Sequence, residues 1–261
     1  MRRLPVLWCL SRASGGIDWM RRATGTWVCV HGVSMRRLAL IAAILVAACS
    51  PEKNPDAQPT AAAQVSAPVP AGAPVILAFG DSLYAGYRLN PGEGYPPRLE
   101  AALNAAGTPA RVVNAGVSGD TTAAALQRLA FTLDNQPAKP VLALVGLGGN
   151  DMLRGLPPEQ TRDNLDAILT EFDKRGIPVV LTGMLAAPNL GADYARKFNP
   201  IWPELAKKHK AALVPFFLQP VIGNKALMLD DNIHPNAQGV DRIVAATQAQ
   251  VADALEAAIK P

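Results

Sequence analysis

From Pro74 onward, short apolar runs alternate with longer segments whose apolar residues recur every three or four positions. The runs are Val75–Phe79, Arg111–Asn114, Val141–Gly146, Pro178–Thr182 and Ala212–Phe216, and each reads as a buried strand. The segments about Tyr95–Ala106, Thr121–Asp134, Glu159–Arg175 and Tyr194–His209 read as helices, and Gln238 to about Ile259 as a long closing one. Strands that are apolar throughout, each followed by a helix, predict a parallel sheet covered on both faces. Right-handed crossovers restrict the strand order. The expected fold class is α/β, a three-layer α/β/α sandwich with a five-stranded parallel sheet in the flavodoxin-like order 2-1-3-4-5.

Before Pro74 the pattern differs. Residues 1–34 carry Trp8, Trp19, Trp27 and scattered arginines with no sustained period. Met35-Arg36-Arg37 then precedes the apolar run Leu38–Ala48, which ends Val46-Ala47-Ala48-Cys49. A charged start, a short apolar stretch and small residues before a cut are the layout of a secretory signal. Eleven apolar residues are too few to span a bilayer as a mature helix. A cysteine directly after the small residues resembles a bacterial lipoprotein signal, which implies that Cys49 becomes the lipidated first residue. An ordinary cleaved signal with an incidental cysteine is the alternative. Residues 49–73 are rich in Pro and Ala and lack aromatics, so they read as a semi-extended tether. The expected organisation is an upstream extension (1–34), a signal (35–48), a tether (49–73) and a folded domain (74–261). The expected location is exported and periplasmic, held to a membrane through Cys49.

Charge refines this picture. The chain has 261 residues, 49% of them hydrophobic, enough for one substantial core. Its formal charge of +4 suggests nucleic acid, but seven of the 25 Lys and Arg lie before Cys49, where Asp18 is the one acid. From Cys49 onward 18 basic residues face 20 acidic ones, which removes the electrostatic case for nucleic acid. The three cysteines, Cys9, Cys29 and Cys49, all precede the expected domain, so it holds no disulfide framework and no Cys-based zinc site. Of the three histidines, His31 is N-terminal, and His209 in Lys207-Lys208-His209-Lys210 is expected on a solvated helix face. His234 remains as the candidate for chemistry.

Four stretches sit at or beyond expected strand ends, where parallel α/β sheets bind ligands. Gly80-Asp81-Ser82 follows the first strand and offers a nucleophile, although Asp81 and Ser82 also suit a helix cap. Asn114-Ala115-Gly116-Val117-Ser118-Gly119-Asp120-Thr121 follows the second; its glycines leave amides able to donate to an oxyanion, or it is a plain turn capped by Asp120 or Thr121. Gly148-Gly149-Asn150-Asp151 follows the third and offers a side-chain amide donor, or a turn with a left-handed Asn. Asp230-Asp231-Asn232-Ile233-His234-Pro235 closes the set. Pro235 keeps His234 out of helical geometry, so Asp231 and His234 share a loop, and the acid can reach back to the imidazole.

Together these stretches resemble the blocks of the SGNH (GDSL) hydrolase family, here Ser82, Gly119, Asn150 and His234, with Asp231 completing a triad. The resemblance runs from about Val75 to the C-terminus. The neighbouring residues Leu83-Tyr84-Ala85-Gly86-Tyr87, Met152-Leu153-Arg154-Gly155 and Asn236 are similar to the bacterial thioesterase, lysophospholipase and arylesterase branch. Tyr84 and Leu185–Leu190 fit that branch least well and are expected to alter which acyl chain fits. The resemblance implies a serine esterase acting on carboxylic esters and possibly thioesters, with Ser82, Asp231 and His234 catalytic. It implies an oxyanion hole of Ser82, Gly119 and Asn150, an acyl-ester or thioester substrate, and no cofactor or metal. Leu153, Leu156, Leu185, Leu190, Leu227 and Met228 are candidates for an acyl groove, each equally suited to plain packing.

The G-x-S-x-G layout of α/β-hydrolases fails at Tyr84. A metallophosphoesterase using Asp81, Asn114, Asn150 and His234 has one usable histidine, thin for a dinuclear site. A carbohydrate O-deacetylase on the same scaffold and a non-catalytic lipid-binding lipoprotein stay open as alternatives.

Overall fold

The computed structural model describes residues 69–260. The expected extension, signal, Cys49 and most of the tether lie outside them. The described chain forms β1 (Val75–Gly80), α1 (Ser82–Ala85), α2 (Tyr95–Ala105), β2 (Arg111–Gly116), α3 (Thr122–Asp134), β3 (Leu142–Gly146), α4 (Gly149–Leu153) and α5 (Pro158–Lys174). It continues with β4 (Val179–Thr182), α6 (Gly191–Phe198), α7 (Ile201–His209), β5 (Ala212–Val214) and α8 (Ala237–Ile259).

The five strands are parallel in the order β2-β1-β3-β4-β5, as expected. The register is set around β1: Ile76 pairs with Val112 of β2 and Leu142 of β3. Every residue of β1, β3 and β4 is buried, because α2 and α8 pack together on one face and α3, α5 and α7 on the other. This is why the central strands read as unbroken apolar runs. β5 stops at Val214 rather than Phe216, since Pro215 has no N–H to continue the ladder.

The expected helix Tyr194–His209 is two helices, α6 and α7, separated at Asn199-Pro200. Pro200 lacks the N–H that would continue the ladder. The freed Asn199 side chain accepts from the Ala186 amide at 2.8 Å and fixes the loop after β4. His209 is also placed differently from expectation. Its side chain is 6% exposed, with Nε2 2.7 Å from Asp166 and Nδ1 2.6 Å from Asp173 of α5. The basic run hid two carboxylates on the neighbouring helix that draw the ring inward.

The strand ends are shaped by Tyr84, which is fully buried. Its ring stacks on Tyr95 at 5.4 Å and meets Phe217 edge-on at 5.5 Å, and its hydroxyl is 3.0 Å from Thr182 Oγ1. A Cβ on Gly80 or Gly146 would come within 2.7 Å of the Tyr84 ring. The two glycines at the ends of β1 and β3 are therefore there to let this ring lie across them.

Candidate active site

Ser82 is the first residue of α1, two positions beyond the end of β1. The preceding Asp81 caps that turn, accepting from the Leu83 amide at 3.0 Å. The cap and the candidate nucleophile are thus adjacent residues with separate tasks. Ser82 Oγ lies 2.8 Å from His234 Nε2, and His234 Nδ1 lies 2.7 Å from Asp231 Oδ2.

The loop carrying Asp231 and His234 is closed by its own backbone. Leu229 N–H donates to His234 C=O at 2.7 Å, Met228 bridges Pro235 antiparallel, and Asn232 takes the left-handed conformation (φ 55°) that the reversal needs. Asp231 Oδ1 accepts from the Ile233 and His234 amides, both at 2.9 Å. Burial pushes the Asp231 carboxyl up, but these amides and the imidazole outweigh it and carry the group down to about 2. Asn236 caps α8 by accepting from Gly239 N–H at 3.0 Å, which anchors the loop to the longest helix.

Gly119 lies in the loop after β2 with φ 87°, and Asn150 is the second residue of α4. Thr121, not Asp120, caps α3; Asp120 instead pairs with Arg128 Nε at 2.6 Å. The left-handed position before α4 belongs to Gly148 (φ 103°), not Asn150. A side chain at Gly148 would strike Trp202 at 2.7 Å, so the turn into α4 accepts only glycine. Asp151 then fixes the helix: fully buried, it accepts from Thr122 N at 2.8 Å and Thr122 Oγ1 at 2.5 Å.

Asn150 Nδ2 faces Asp81 Oδ2 at 3.5 Å, the outer limit of a hydrogen bond. Burial pushes the Asp81 carboxyl up to about 7; donation from Leu83 and Asn150 opposes this, and the nearby carboxylates of Asp120 and Asp151 add to it. Among the described residues the Ser82 and Gly119 amides have no protein acceptor. Arg154, at the end of α4, donates from Nη2 to the Gly119 carbonyl at 2.7 Å and ties the two loops together.

All five expected site residues except Asp231 line one cavity of about 220 Å³; Asp231 stands behind His234. Its apolar walls are Leu83, Tyr87, Met152, Leu153, Met184 and Leu218. Of the six expected groove residues, Leu153 alone is among them; Met228 is instead buried in the core. Tyr84 does not reach the cavity either, because it is turned down against Tyr95 and Phe217. Tyr87, which the sequence reading left without a role, lies with its ring centre 4.5 Å from that of His234. Its signal was position: it lies five residues after Ser82, just past the α1 turn. Among the described residues no group of three His, Cys, Asp or Glu is placed to hold a metal ion.

The five-stranded parallel sheet with helices on both faces, and the blocks gathered at its carboxyl end, are those of an SGNH hydrolase. Residues 78–242 match the GDSL-like Lipase/Acylhydrolase family, and the chain belongs to that family. It is 38% identical to esterase TesA of Pseudomonas aeruginosa over 67% of this chain and 86% of that protein. It is 39% identical to thioesterase 1/protease 1/lysophospholipase L1 of Escherichia coli over 64% of this chain and 77% of that protein. Among solved structures, AlinE4, an SGNH-hydrolase family esterase, superposes with a TM-score of 0.61 at 57% identity, covering 71% of this chain and 98% of AlinE4.

Proposed function

We propose that this chain hydrolyses carboxylic esters and thioesters, with Ser82 as nucleophile, His234 as general base and acid, and Asp231 as the group that orients and stabilises the imidazole. The observation that carries the reading is the continuous line from Asp231 Oδ2 through His234 to Ser82 Oγ, with steps of 2.7 and 2.8 Å. In the resting site the Ser82 hydroxyl donates to Nε2 and Nδ1–H donates to the carboxylate. His234 takes the hydroxyl proton as Oγ attacks the acyl carbonyl. The oxyanion is met by the Ser82 and Gly119 amides and by Asn150 Nδ2. The 3.5 Å contact with Asp81 leaves that amide free for a closer acceptor. His234 then gives its proton to the departing alcohol or thiol. Water, activated by the same imidazole, releases the acid and restores Ser82.

The cavity's apolar walls support an acyl chain over a sugar ring as the group held there. A fluorophosphonate probe is expected to label the wild-type chain and leave Ser82→Ala unlabelled. Labelling that survives the substitution removes Ser82 from the role.

The same reading extends to the rest of the chain. Residues 74–261 form the hydrolase domain, residues 49–73 its tether, and residues 35–48 an export signal, with residues 1–34 lying upstream of a start at Met35. The support is the order of charged, apolar and small residues ending at Cys49. In this reading a lipid on Cys49 supplies the membrane anchor; no helix among the described residues is long and apolar enough to cross a membrane.

A further inference from the structure

The loop from Val117 to Asp120 carries Gly119 and is held at both ends. Val117 N–H donates to the Gly80 carbonyl at 3.0 Å, and Asp120 N–H donates to the Val117 carbonyl at 3.2 Å. Arg128 of α3 reaches back past the start of its own helix to the same two places. Its Nε donates to Asp120 Oδ2 at 2.6 Å, and its Nη2 donates to the Gly80 carbonyl at 3.0 Å. Its guanidinium carbon lies 4.2 Å from the ring centre of Phe79, the fully buried residue before Gly80. Two acceptors and an aromatic face fix the plane of the fork, and the Arg128 and Asp120 side chains are both mostly buried. Among the described residues no other side chain hydrogen-bonds to both the exit of β1 and the Val117–Asp120 loop.

We infer that Arg128 is a positioning residue that sets the separation of the Ser82 and Gly119 amides. The inference rests on the esterase reading above, in which those amides and Asn150 Nδ2 meet the oxyanion. Gly80 lies two residues before Ser82, and Asp120 directly follows Gly119, so one guanidinium is bonded to the chain beside each amide. Arg154 ties the Gly119 carbonyl to the helix of Asn150. Arg128 ties the same loop to the strand end that leads to Ser82. The two arginines thus relate Gly119 to each of the other two donors. Gly119 has φ 87° and no side chain to hold it, so its flanks decide where its amide points. Oxyanion donors act by being placed before the reaction, and a misplacement of about 1 Å costs on the order of 100-fold in rate. Arg128 does not line the cavity, so it acts through the backbone and not on the substrate. A purely stabilising ion pair is the competing account, and kinetics separate the two.

The test uses the full-length chain and p-nitrophenyl butyrate as substrate, with thermal unfolding measured on every variant. Phenylboronic acid serves as inhibitor, because its tetrahedral adduct with Ser82 places an oxygen where the oxyanion forms. Arg128→Met keeps the apolar stem and removes both donors. It is expected to lower kcat about 10- to 100-fold, short of the roughly 100–1,000-fold typical for loss of a donor itself. KM should stay within about threefold, since the interaction is made in the transition state. Boronate affinity should fall by the same factor as kcat/KM, because both report binding of the oxyanion. Arg128→Lys should recover part of the loss, since an ammonium lacks the planar fork that reaches both acceptors. Arg175→Met is the structural control. Arg175 bonds Asp134 at 2.6 Å and Glu171 at 2.8 Å at the C-terminal ends of α3 and α5. Its loss should lower Tm and leave kcat unchanged. Should Arg128→Met fail to fold, Arg128→Lys carries the test on the same readouts. A kcat within about twofold of wild type, a loss that falls on KM, an unchanged boronate affinity, or an equal loss of kcat in Arg175→Met overturns the positioning role alone. Absence of turnover by the wild-type chain overturns the esterase reading, and the positioning role with it.

Discussion

Arg154 Nη2 donates to the Gly119 carbonyl at 2.7 Å, bridging α4 to the loop after β2. The two segments so joined carry Asn150 and Gly119, the two proposed oxyanion donors that lie off α1. The guanidinium is a positioning group, since it touches the Gly119 carbonyl and not the cavity. Arg154→Ala is expected to lower kcat about tenfold, less than the roughly 100–1,000-fold that loss of a donor itself typically costs. KM should move little, and Arg154→Lys should recover part of the loss. A kcat unchanged in Arg154→Ala shows that Gly119 holds its conformation unaided.

Asp231→Asn is expected to preserve the fold and lower kcat by up to about 10⁴-fold, because the amide favours the wrong imidazole tautomer. The loop survives because Asn keeps an oxygen for the Ile233 and His234 amides. With its carboxyl held at about 2, Asp231 stays ionised until pH falls through about 2. An acid limb in the wild-type pH–rate profile at higher pH therefore belongs to another group. A loss below about tenfold removes Asp231 from the orienting role.

What the sequence made legible follows from how each signal arises. β1, β3 and β4 were readable because strands buried on both faces are apolar throughout. The residues gathered around the cavity stood out in the sequence because each lies in a short block with Gly, Asn or Pro that fixes a turn. The apolar walls of the cavity did not. Met184 and Leu218 come from the exits of β4 and β5 and meet Leu83 and Met152 only once the sheet is assembled. No period in the chain announces such a convergence. Tyr84 misled for the opposite reason: it lies two residues from Ser82, yet helical geometry turns it away into the core. His209 shows the same limit for charge, since a basic run says nothing of the acids on the next helix.

The mature chain is expected to begin at a lipid-modified Cys49 and to partition with membranes. Diacyl and N-acyl chains together exceed the two signals needed for stable anchoring. Cys49→Ser should release an active soluble enzyme if export continues. Intact-mass measurement of the native protein decides it. An unmodified Cys49, or a mature N-terminus elsewhere, ends the lipoprotein reading and leaves the hydrolase reading untouched. Retention of residues 1–34 ends the assignment of Met35 as the start.

Asp81 gives the structure a distinct dependence of stability on pH. Burial raises its carboxyl to about 7 in the folded chain, whereas an unfolded Asp titrates near 4. Between these values the folded state binds more protons than the unfolded one, so stability falls as pH rises. The slope from this one group is at most about 1.4 kcal/mol per pH unit. Asp81→Asn removes the ionisation while its amide oxygen can still accept from Leu83 N–H. The variant is expected to exceed the wild type in stability at pH 8, with the advantage shrinking steadily toward pH 4. Urea unfolding at a series of pH values measures it. A difference between the two chains that stays constant from pH 4 to pH 8 shows that Asp81 does not titrate in this window.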